Sequence, residues 1–133
     1  MTDERASLAL PKDFLRPCLL LLLREEPAHG YDLIERIGTL GIDSSDPGGL
    51  YRALRKLEEE GLVRSAWERS SSGPQRRIYE ITRVGLEELH RRANAVALAQ
   101  EHVQAFLGRY EEFVALRERR RPAEPARASS SPR

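Results

Sequence analysis

The pattern of apolar and polar positions along the chain predicts three short helices, then two strands, then one long helix. The first helix is expected to begin near Asp13, whose carboxylate is placed to cap the free backbone amides, and to end before Pro27. Its leucines supply more apolar area than one buried face needs, so this helix requires cover on two sides. A second helix is expected from Gly30 to Gly38, because apolar residues recur there at helical spacing.

The third helix has the clearest beginning and end. Asp46 followed by Pro47 is a typical N-cap and first helical residue, and Gly61 is a typical C-terminal stop. One face carries the core stripe and the other carries basic and aromatic side chains: Leu50, Leu54 and Leu57 against Tyr51, Arg52, Arg55 and Lys56.

Two segments rich in β-forming residues follow, 62–68 and 77–81, and the turn residues between them predict a β-hairpin with a basic tip. The tip and its flanks carry Arg69, Arg76 and Arg77. We expect Trp67 to lie in the core under this hairpin, because a single tryptophan on a strand usually anchors packing. Thr82 is placed to cap the next helix.

The last helix, residues 84–118, carries apolar residues at alternating spacings of three and four for about four heptads, which is typical of a coiled-coil seam. A chain this short has no other element long enough to cover that seam. We therefore expect it to form a homodimer interface, while packing within the chain stays an alternative for the first two turns. The seam consists of Leu86, Leu89, Ala93, Val96, Gln100, Val103, Leu107, Tyr110 and Val114.

Composition narrows the class of protein. The 133 residues are 40% hydrophobic and 32% charged, which suits one helix-rich globular domain, and no apolar run is long enough to span a membrane. The single cysteine, Cys18, lies in an apolar run, so a buried thiol in a reducing, cytoplasmic setting is expected. The three histidines lack metal-ligand spacing and no nucleophile–base pair or phosphate loop is present, so we expect no metal, no cofactor and no enzymatic activity.

The net charge is only +1, so any nucleic-acid signal must come from how charge is distributed. Residues 46–83 hold 8 basic and 6 acidic residues, and residues 119–133 hold 5 and 1. A helix followed by a β-hairpin is the order in which a winged helix-turn-helix presents itself to the major groove. The fold class is thus mostly α with a small β-hairpin (α+β), with a long C-terminal dimerisation helix.

In this arrangement the start of the third helix would enter the DNA major groove while the hairpin reaches an adjacent groove or the backbone. Gly48 and Gly49 would let phosphate oxygens approach the helix N-terminus, a function that would explain two glycines in a helix. Arg52 or Arg55 would read a base and Tyr51 would hold the backbone, with Lys56 on the same side. The alternative is that these cations only pair with Glu59 and Glu60 or with solvent.

Three motifs, HGYDLIERI, PGGLYRALRKLEEEGLVRS and GPQRRIYEITRVG, resemble the PadR family of bacterial transcriptional regulators, over roughly Leu19 to Leu89. The resemblance implies a winged-helix dimer that usually represses transcription from an inverted repeat. It maps DNA contacts to Tyr31, Gly48 to Arg55, and the wing around Gly73 to Arg77. The short single C-terminal helix is similar to the smaller branch of the family, and the second-helix and DPGGLYR region is similar to polyhydroxybutyrate-responsive repressors.

The sequence thus predicts four segments: a flexible arm (1–12), a winged helix-turn-helix DNA-binding domain (13–83), a dimerisation helix (84–118) and a disordered basic tail (119–133). The expected partners are double-stranded DNA and a second copy of the chain, with release by a small-molecule effector left open. The alternative function is a protein-interaction adaptor that reuses the winged-helix fold and its long helix without binding DNA. Operator, effector and the sign of regulation stay open.

Overall fold

The computed structural model describes residues 13–43, 46–68 and 73–120, and confirms a mostly helical fold with a small antiparallel sheet. Its elements are helix α1 (Leu15–Glu25), strand β1 (Ala28–His29), helix α2 (Gly30–Ile37), a 3-10 turn (Gly38–Leu40), helix α3 (Pro47–Glu59), strands β2 (Val63–Glu68) and β3 (Arg76–Ile81), helix α4 (Arg83–Tyr110), a π-helical turn (Glu111–Ala115) and helix α5 (Leu116–Arg120). Contacts divide the chain into two compact units, one ending at Val96 and one beginning at Ala97. The arm at residues 1–12 and residues 121–133 of the expected tail lie outside the described residues, whereas Arg119 and Arg120 belong to α5.

The expectation that Asp13 caps the first helix is wrong. Asp13 has φ 56°, in the left-handed region, and α1 begins only at Leu15. The N-cap residue is Phe14, which makes no side-chain cap hydrogen bond. The backbone carbonyl of Asp13 instead accepts a hydrogen bond from the Arg16 N–H at 3.2 Å, so the backbone alone closes this first turn.

Helix α1 lies at the centre of the core, and its two-sided cover comes from the chain itself. It packs against α2, α3 and β3, and of its leucines in the run 19–23 only Leu21 is exposed. The leucine stripe of α3 is fully buried against it, as expected from the sequence. The buried core consists of Cys18, Leu19, Leu20, Leu22, Leu23, Ala28, Leu33, Ile37, Leu50, Leu54, Leu57, Leu62, Val63, Tyr79 and Leu89.

The sheet has three antiparallel strands in the order β1-β3-β2, one more than the expected hairpin. Strand β1 pairs Ala28 with Tyr79 and His29 with Ile78. It comprises two residues, too few to show a strand periodicity in the sequence. Because β1 runs directly into α2, this pairing joins the start of α2 to the hairpin.

One junction joins the end of α3, both long strands and the start of α4. Helix α3 ends in a Schellman motif, in which Gly61 has φ +79° and the Leu62 N–H donates to the Leu57 carbonyl at 2.9 Å. The Leu62 carbonyl then accepts from the Thr82 N–H at 3.0 Å. Thr82 also caps α4, as expected, because its hydroxyl accepts from the Gly85 N–H at 3.0 Å.

The first turns of α4 are used within the chain. Leu89 is buried in the core and Leu86 packs against it, so these two members of the expected dimer seam are already covered. Beyond Val96, which is half-buried, every later seam residue from Gln100 to Val114 is exposed in the single chain. Within the single chain, Leu86 and Leu89 are thus covered and the seam residues from Gln100 onward are not, and the dimer interface itself stays a prediction.

Two glycines of α4 should respond to alanine with opposite signs. A Cβ at Gly85 would lie 2.0 Å from the Leu62 carbonyl oxygen, whereas a Cβ at Gly108 would meet no atom within 4 Å. We expect Gly85→Ala to lower the free energy of unfolding by about 1–3 kcal/mol through overpacking. Gly108→Ala should raise it by about 0.5–1 kcal/mol, because alanine loses less conformational entropy in a helix. Denaturant unfolding monitored by circular dichroism measures both, and a stabilised Gly85→Ala would contradict the close approach.

Candidate nucleic-acid interface

The start of α3 is organised by the carboxylate of Asp46. Its Oδ1 accepts a hydrogen bond from the Gly49 N–H at 3.0 Å, and its Oδ2 lies 3.7 Å from Arg52 Nη2. A Cβ at Gly49 would fall 2.4 Å from Asp46 Oδ2, so the missing side chain of Gly49 makes room for the cap. Gly49 therefore has a reason within the fold, which weakens the argument that only phosphate contact explains the glycines of this turn.

The basic and aromatic residues of α3 lie on its solvent side, opposite the buried leucines, as the periodicity predicted. Tyr51, Arg52, Arg55 and Lys56 are all exposed. Of the two alternative partners expected for these cations, Glu59 and Glu60, the carboxylate of Glu60 is held by Arg16 of α1 at 2.6 Å. The hydrogen bond from Arg16 holds the pKa of Glu60 below its ordinary value. The α3 cations thus share one exposed face, which Glu60 does not neutralise by direct pairing.

Tyr51 also connects α3 to the start of α2. Its ring lies so close to Gly30 that a Cβ there would fall 2.4 Å from Tyr51 Cε1. Tyr51 remains 40% exposed, and Tyr31, on the next residue of α2, is 63% exposed. The contact with Gly30 fixes the ring of Tyr51 before any ligand is bound, a packing role that the sequence did not indicate.

On the hairpin, Trp67 lies across from Arg77 in the β2–β3 register. The expectation that Trp67 lies in the core is wrong: its side chain is 59% exposed, and the Arg77 guanidinium stacks over its ring at 4.7 Å from the centroid. The physical reason is its position. On this face of the hairpin Val63 pairs with Ile81 and Ser65 pairs with Tyr79, and the buried residues end at Val63 on β2 and at Tyr79 on β3, before Trp67 and its partner Arg77 are reached. Burial raises the pKa of the Tyr79 phenol, which therefore stays protonated over a wider pH range.

A chain of hydrogen bonds joins the hairpin to α3. Arg77 Nη1 donates to Ser65 Oγ at 3.0 Å, and the Ser65 hydroxyl donates to Glu58 Oε2 at 2.7 Å. Arg77 is accordingly half-buried and engaged, whereas Arg76, its neighbour on the opposite face of the strand, is exposed. Arg69 of the expected basic tip lies outside the described residues.

His29 makes a second connection that sequence reasoning missed. Its Nε2 lies 2.7 Å from Glu68 Oε1 at the end of β2, and its Nδ1 lies 3.3 Å from Asp32 Oδ2 on α2. The histidine therefore joins the hairpin to the start of α2. The only signal in the sequence was its place in the HGY motif, because contacts between residues 39 positions apart leave no local pattern.

The expected site residues thus fall into two groups within the first unit. One is the exposed start of α3, with the exposed Tyr31 next to the Gly30 that Tyr51 approaches. The other is the hairpin with Arg76 and Arg77, which His29 and Ser65 connect to α2 and α3. Among the residues described, no group of three or more potential metal ligands occurs. None of the described helices is long and apolar enough to cross a membrane.

A helix-turn-helix whose second helix exposes a basic face beside a β-hairpin defines the class of winged helix-turn-helix proteins. The model of the transcriptional regulator PadR-like family matches residues 19–91. This chain belongs to that family, and is a transcriptional regulator by that membership.

Solved structures of similar proteins support this family assignment. A PadR family transcriptional regulator from Eggerthella lenta DSM 2243 is 31% identical, with a TM-score of 0.68 over 78% of this chain and 90% of that chain. A PadR-like regulator from Bacillus cereus ATCC 14579 is 28% identical, with a TM-score of 0.62 over 72% and 93%. PadR from Bacillus subtilis, solved in complex with operator DNA, is 26% identical, with a TM-score of 0.53 over 58% and 45%. Among curated proteins no match was found.

Removing the cap of α3 should lower stability through one hydrogen bond. We expect Asp46→Ala to decrease the free energy of unfolding by about 1 kcal/mol, because the Gly49 N–H loses its side-chain acceptor. Asp46→Asn keeps an accepting oxygen at the same place and should unfold close to wild type. Urea unfolding measured by circular dichroism compares the three proteins. Equal midpoints for Asp46→Ala and wild type would show that the cap contributes nothing to stability.

Proposed function

We propose that this protein binds double-stranded DNA sequence-specifically as a homodimer and represses transcription from an inverted-repeat operator. The observation that carries the proposal is the face of α3, where three cations and a fixed tyrosine lie exposed on a helix whose opposite side is buried in the core. Family membership and the operator complex of Bacillus subtilis PadR support the same function.

The start of α3 is assigned to the major groove. Arg52 and Arg55 stand one turn apart, and a guanidinium at either position can take guanine O6 and N7 together. Lys56 and Tyr51 are assigned to phosphates, and the backbone at Gly48 and Gly49 leaves space for a phosphate oxygen beside the helix N-terminus. Because the Gly49 N–H is already taken by Asp46, the phosphate contact would fall to the Gly48 amide.

The hairpin is assigned to an adjacent groove or to the DNA backbone. Arg76 is exposed at the start of β3, and Arg69 lies in the neighbouring turn segment of the sequence. Arg77 is engaged with Trp67 and Ser65, so its charge would act on DNA from a fixed position. Tyr31, exposed at the start of α2, completes the set of proposed contacts.

The exposed seam of the second unit supports the homodimer. Val103, Leu107, Tyr110 and Val114 all remain substantially exposed in the single chain. Two further aromatics widen this face beyond the seam expected from the sequence, Phe106 and Phe113, and the rings of Phe106 and Tyr110 stack at 6.4 Å. Water-exposed aromatic and aliphatic residues in a continuous row are costly unless another surface covers them. A second copy of the same helix would cover them with a matching row.

A small-molecule effector would act by changing how this dimer presents its two α3 helices. On the proposed dimer face itself, an open apolar concavity of about 590 Å³ is present in the single chain, so a molecule bound there would displace part of the contact with the second copy. The concavity is lined by Ala105, Phe106, Arg109, Tyr110, Phe113 and Val114. Its aromatic lining suits a flat apolar molecule, and Arg109 offers one cation. Release by such a molecule is the regulatory part of the proposal.

The function is tested by titrating purified protein onto a labelled duplex from the region upstream of its own coding sequence, with excess competitor DNA. A discrete complex that weakens steeply as salt rises is expected, because phosphate neutralisation releases counterions. If that duplex is not retained, a random-sequence selection provides the second probe. Failure of both would reject DNA binding and favour the protein-interaction adaptor.

Arg55 should contribute to specific binding without contributing to the fold. We expect Arg55→Ala to weaken operator binding by about 1–3 kcal/mol if its guanidinium reads a base, with an unchanged unfolding transition. Arg24→Ala, which removes an exposed arginine from α1, is the matched control and should bind like wild type. Operator affinity equal to wild type in Arg55→Ala would remove this residue from the recognition surface.

A charge in the seam should separate the dimer. Val103→Asp places a carboxylate in the proposed interface and should shift the protein to monomer in sedimentation velocity, because burying an unpaired charge is costly. Leu98→Asp makes the same change on the same helix, at an exposed residue outside the seam, and should remain dimeric. A Val103→Asp protein that still sediments as a dimer would contradict the seam.

A further inference from the structure

Trp67 is the one tryptophan of the chain, and the structure leaves it on the hairpin surface with no buried role. We infer that its free face packs against the sugars and base edges of the DNA groove that the hairpin enters, adding an apolar contact to the basic ones. This inference rests on the proposed DNA-binding function and adds a contact that neither the charge pattern nor the family motifs indicated.

The indole is held in place before any ligand arrives. The Arg77 guanidinium covers the ring at 4.7 Å from the centroid, and Arg77 is itself held by its hydrogen bond to Ser65. Ser65 in turn donates to Glu58 of α3, so this series of contacts connects the indole to α3. A side chain that is already ordered loses little conformational entropy on binding, which favours contact at this site.

The surroundings of Trp67 favour nucleic acid over a protein partner. Its cross-strand partner is Arg77, and the next pair along the hairpin, Glu68 and Arg76, is charged, so the exposed indole has charged groups across from it and beyond it. Protein interface cores are depleted of charged residues, whereas apolar side chains that enter DNA grooves typically stand beside cations. The carboxylate of Glu68 lies 2.7 Å from His29 Nε2, so it is engaged within the chain.

An aromatic ring with a cation on one face suits this role chemically. An aromatic side chain in a groove can pack on the deoxyribose rings and base edges that line it, and a neighbouring guanidinium attracts the phosphates that flank them. In this arrangement Arg77 acts as a positioning residue for the indole as well as a source of positive charge. Trp67 therefore should add affinity without adding to the salt dependence of binding.

The single indole makes the contact directly measurable. A duplex selected from a random-sequence pool by the wild-type protein is labelled, so that its anisotropy reports DNA binding, while acrylamide quenching of tryptophan emission reports exposure of Trp67 in the same sample. We expect quenching to fall as anisotropy rises. Trp67→Phe has no indole and supplies the emission background.

Variants separate an apolar contact from an electrostatic one. Trp67→Ala should weaken binding about 5- to 50-fold at every salt concentration, with an unchanged slope of log affinity against log salt. Trp67→Phe should retain affinity within about 3-fold, because it keeps an aromatic face. Arg76→Ala should instead reduce the slope by about 1. Leu21→Ala removes an exposed apolar side chain from α1 and should bind like wild type.

Each other outcome rejects the inference in a recognisable way. Anisotropy that rises while quenching stays constant, or a Trp67→Ala protein with wild-type affinity, leaves DNA binding intact and removes Trp67 from the contact. Quenching that falls with protein concentration alone places the indole in a protein–protein contact. If no duplex is selected and anisotropy stays flat, the proposed function fails and the inference fails with it. Unfolding of Trp67→Ala at the wild-type temperature establishes that affinity changes are not losses of fold.

Discussion

The arrangement of the first unit depends on the backbone carbonyl of Leu62. This residue closes the Schellman motif of α3 through its own N–H, and its carbonyl receives the Thr82 N–H from the end of β3. The start of α4 then passes so near that only a glycine fits at position 85. Helix α3, the hairpin and the start of α4 therefore share one fixed point, and a shift in the register of the hairpin would move the hairpin relative to α3.

Much of the fold of the first unit could be predicted from local sequence. The N-cap at Asp46, the stop at Gly61, the leucine stripe and the Thr82 cap are each set by residues within four positions of one another, so helical periodicity and capping chemistry predicted them. The features that were missed are set by distant partners. They are strand β1, the exposure of Trp67 and the contacts of His29. Each depends on how far the hairpin extends past the core, which no short window of sequence records.

The near-neutral net charge is a poor guide to the surface that α3 presents. Several carboxylates of this half of the chain are occupied by partners away from the α3 cations: Glu60 by Arg16, Glu68 by His29, Glu58 by Ser65 and Glu80 by Arg64. Among the described residues, Asp46 forms an ion pair with an α3 cation, at the 3.7 Å that separates it from Arg52. Because exposed pairs at such distances contribute little, Arg52 remains available for a stronger acceptor such as a phosphate or a guanine edge. The net charge calculated from the sequence counts all of these carboxylates. In the structure, most of them are engaged in contacts within the fold.

The two hairpin arginines, Arg76 and Arg77, are adjacent in the sequence but differ in their surroundings. Adjacent residues on a strand point to opposite faces, so Arg76 and Arg77 meet different surroundings. Arg77 lies on the face that continues from the core and is held between Trp67 and Ser65, whereas Arg76 lies exposed on the other face. A guanidinium already engaged gives up part of its hydrogen-bonding capacity but keeps its charge, and it keeps that charge at a fixed place. Arg77 thus suits holding the hairpin surface in shape for a ligand, and Arg76 suits contacting the ligand directly.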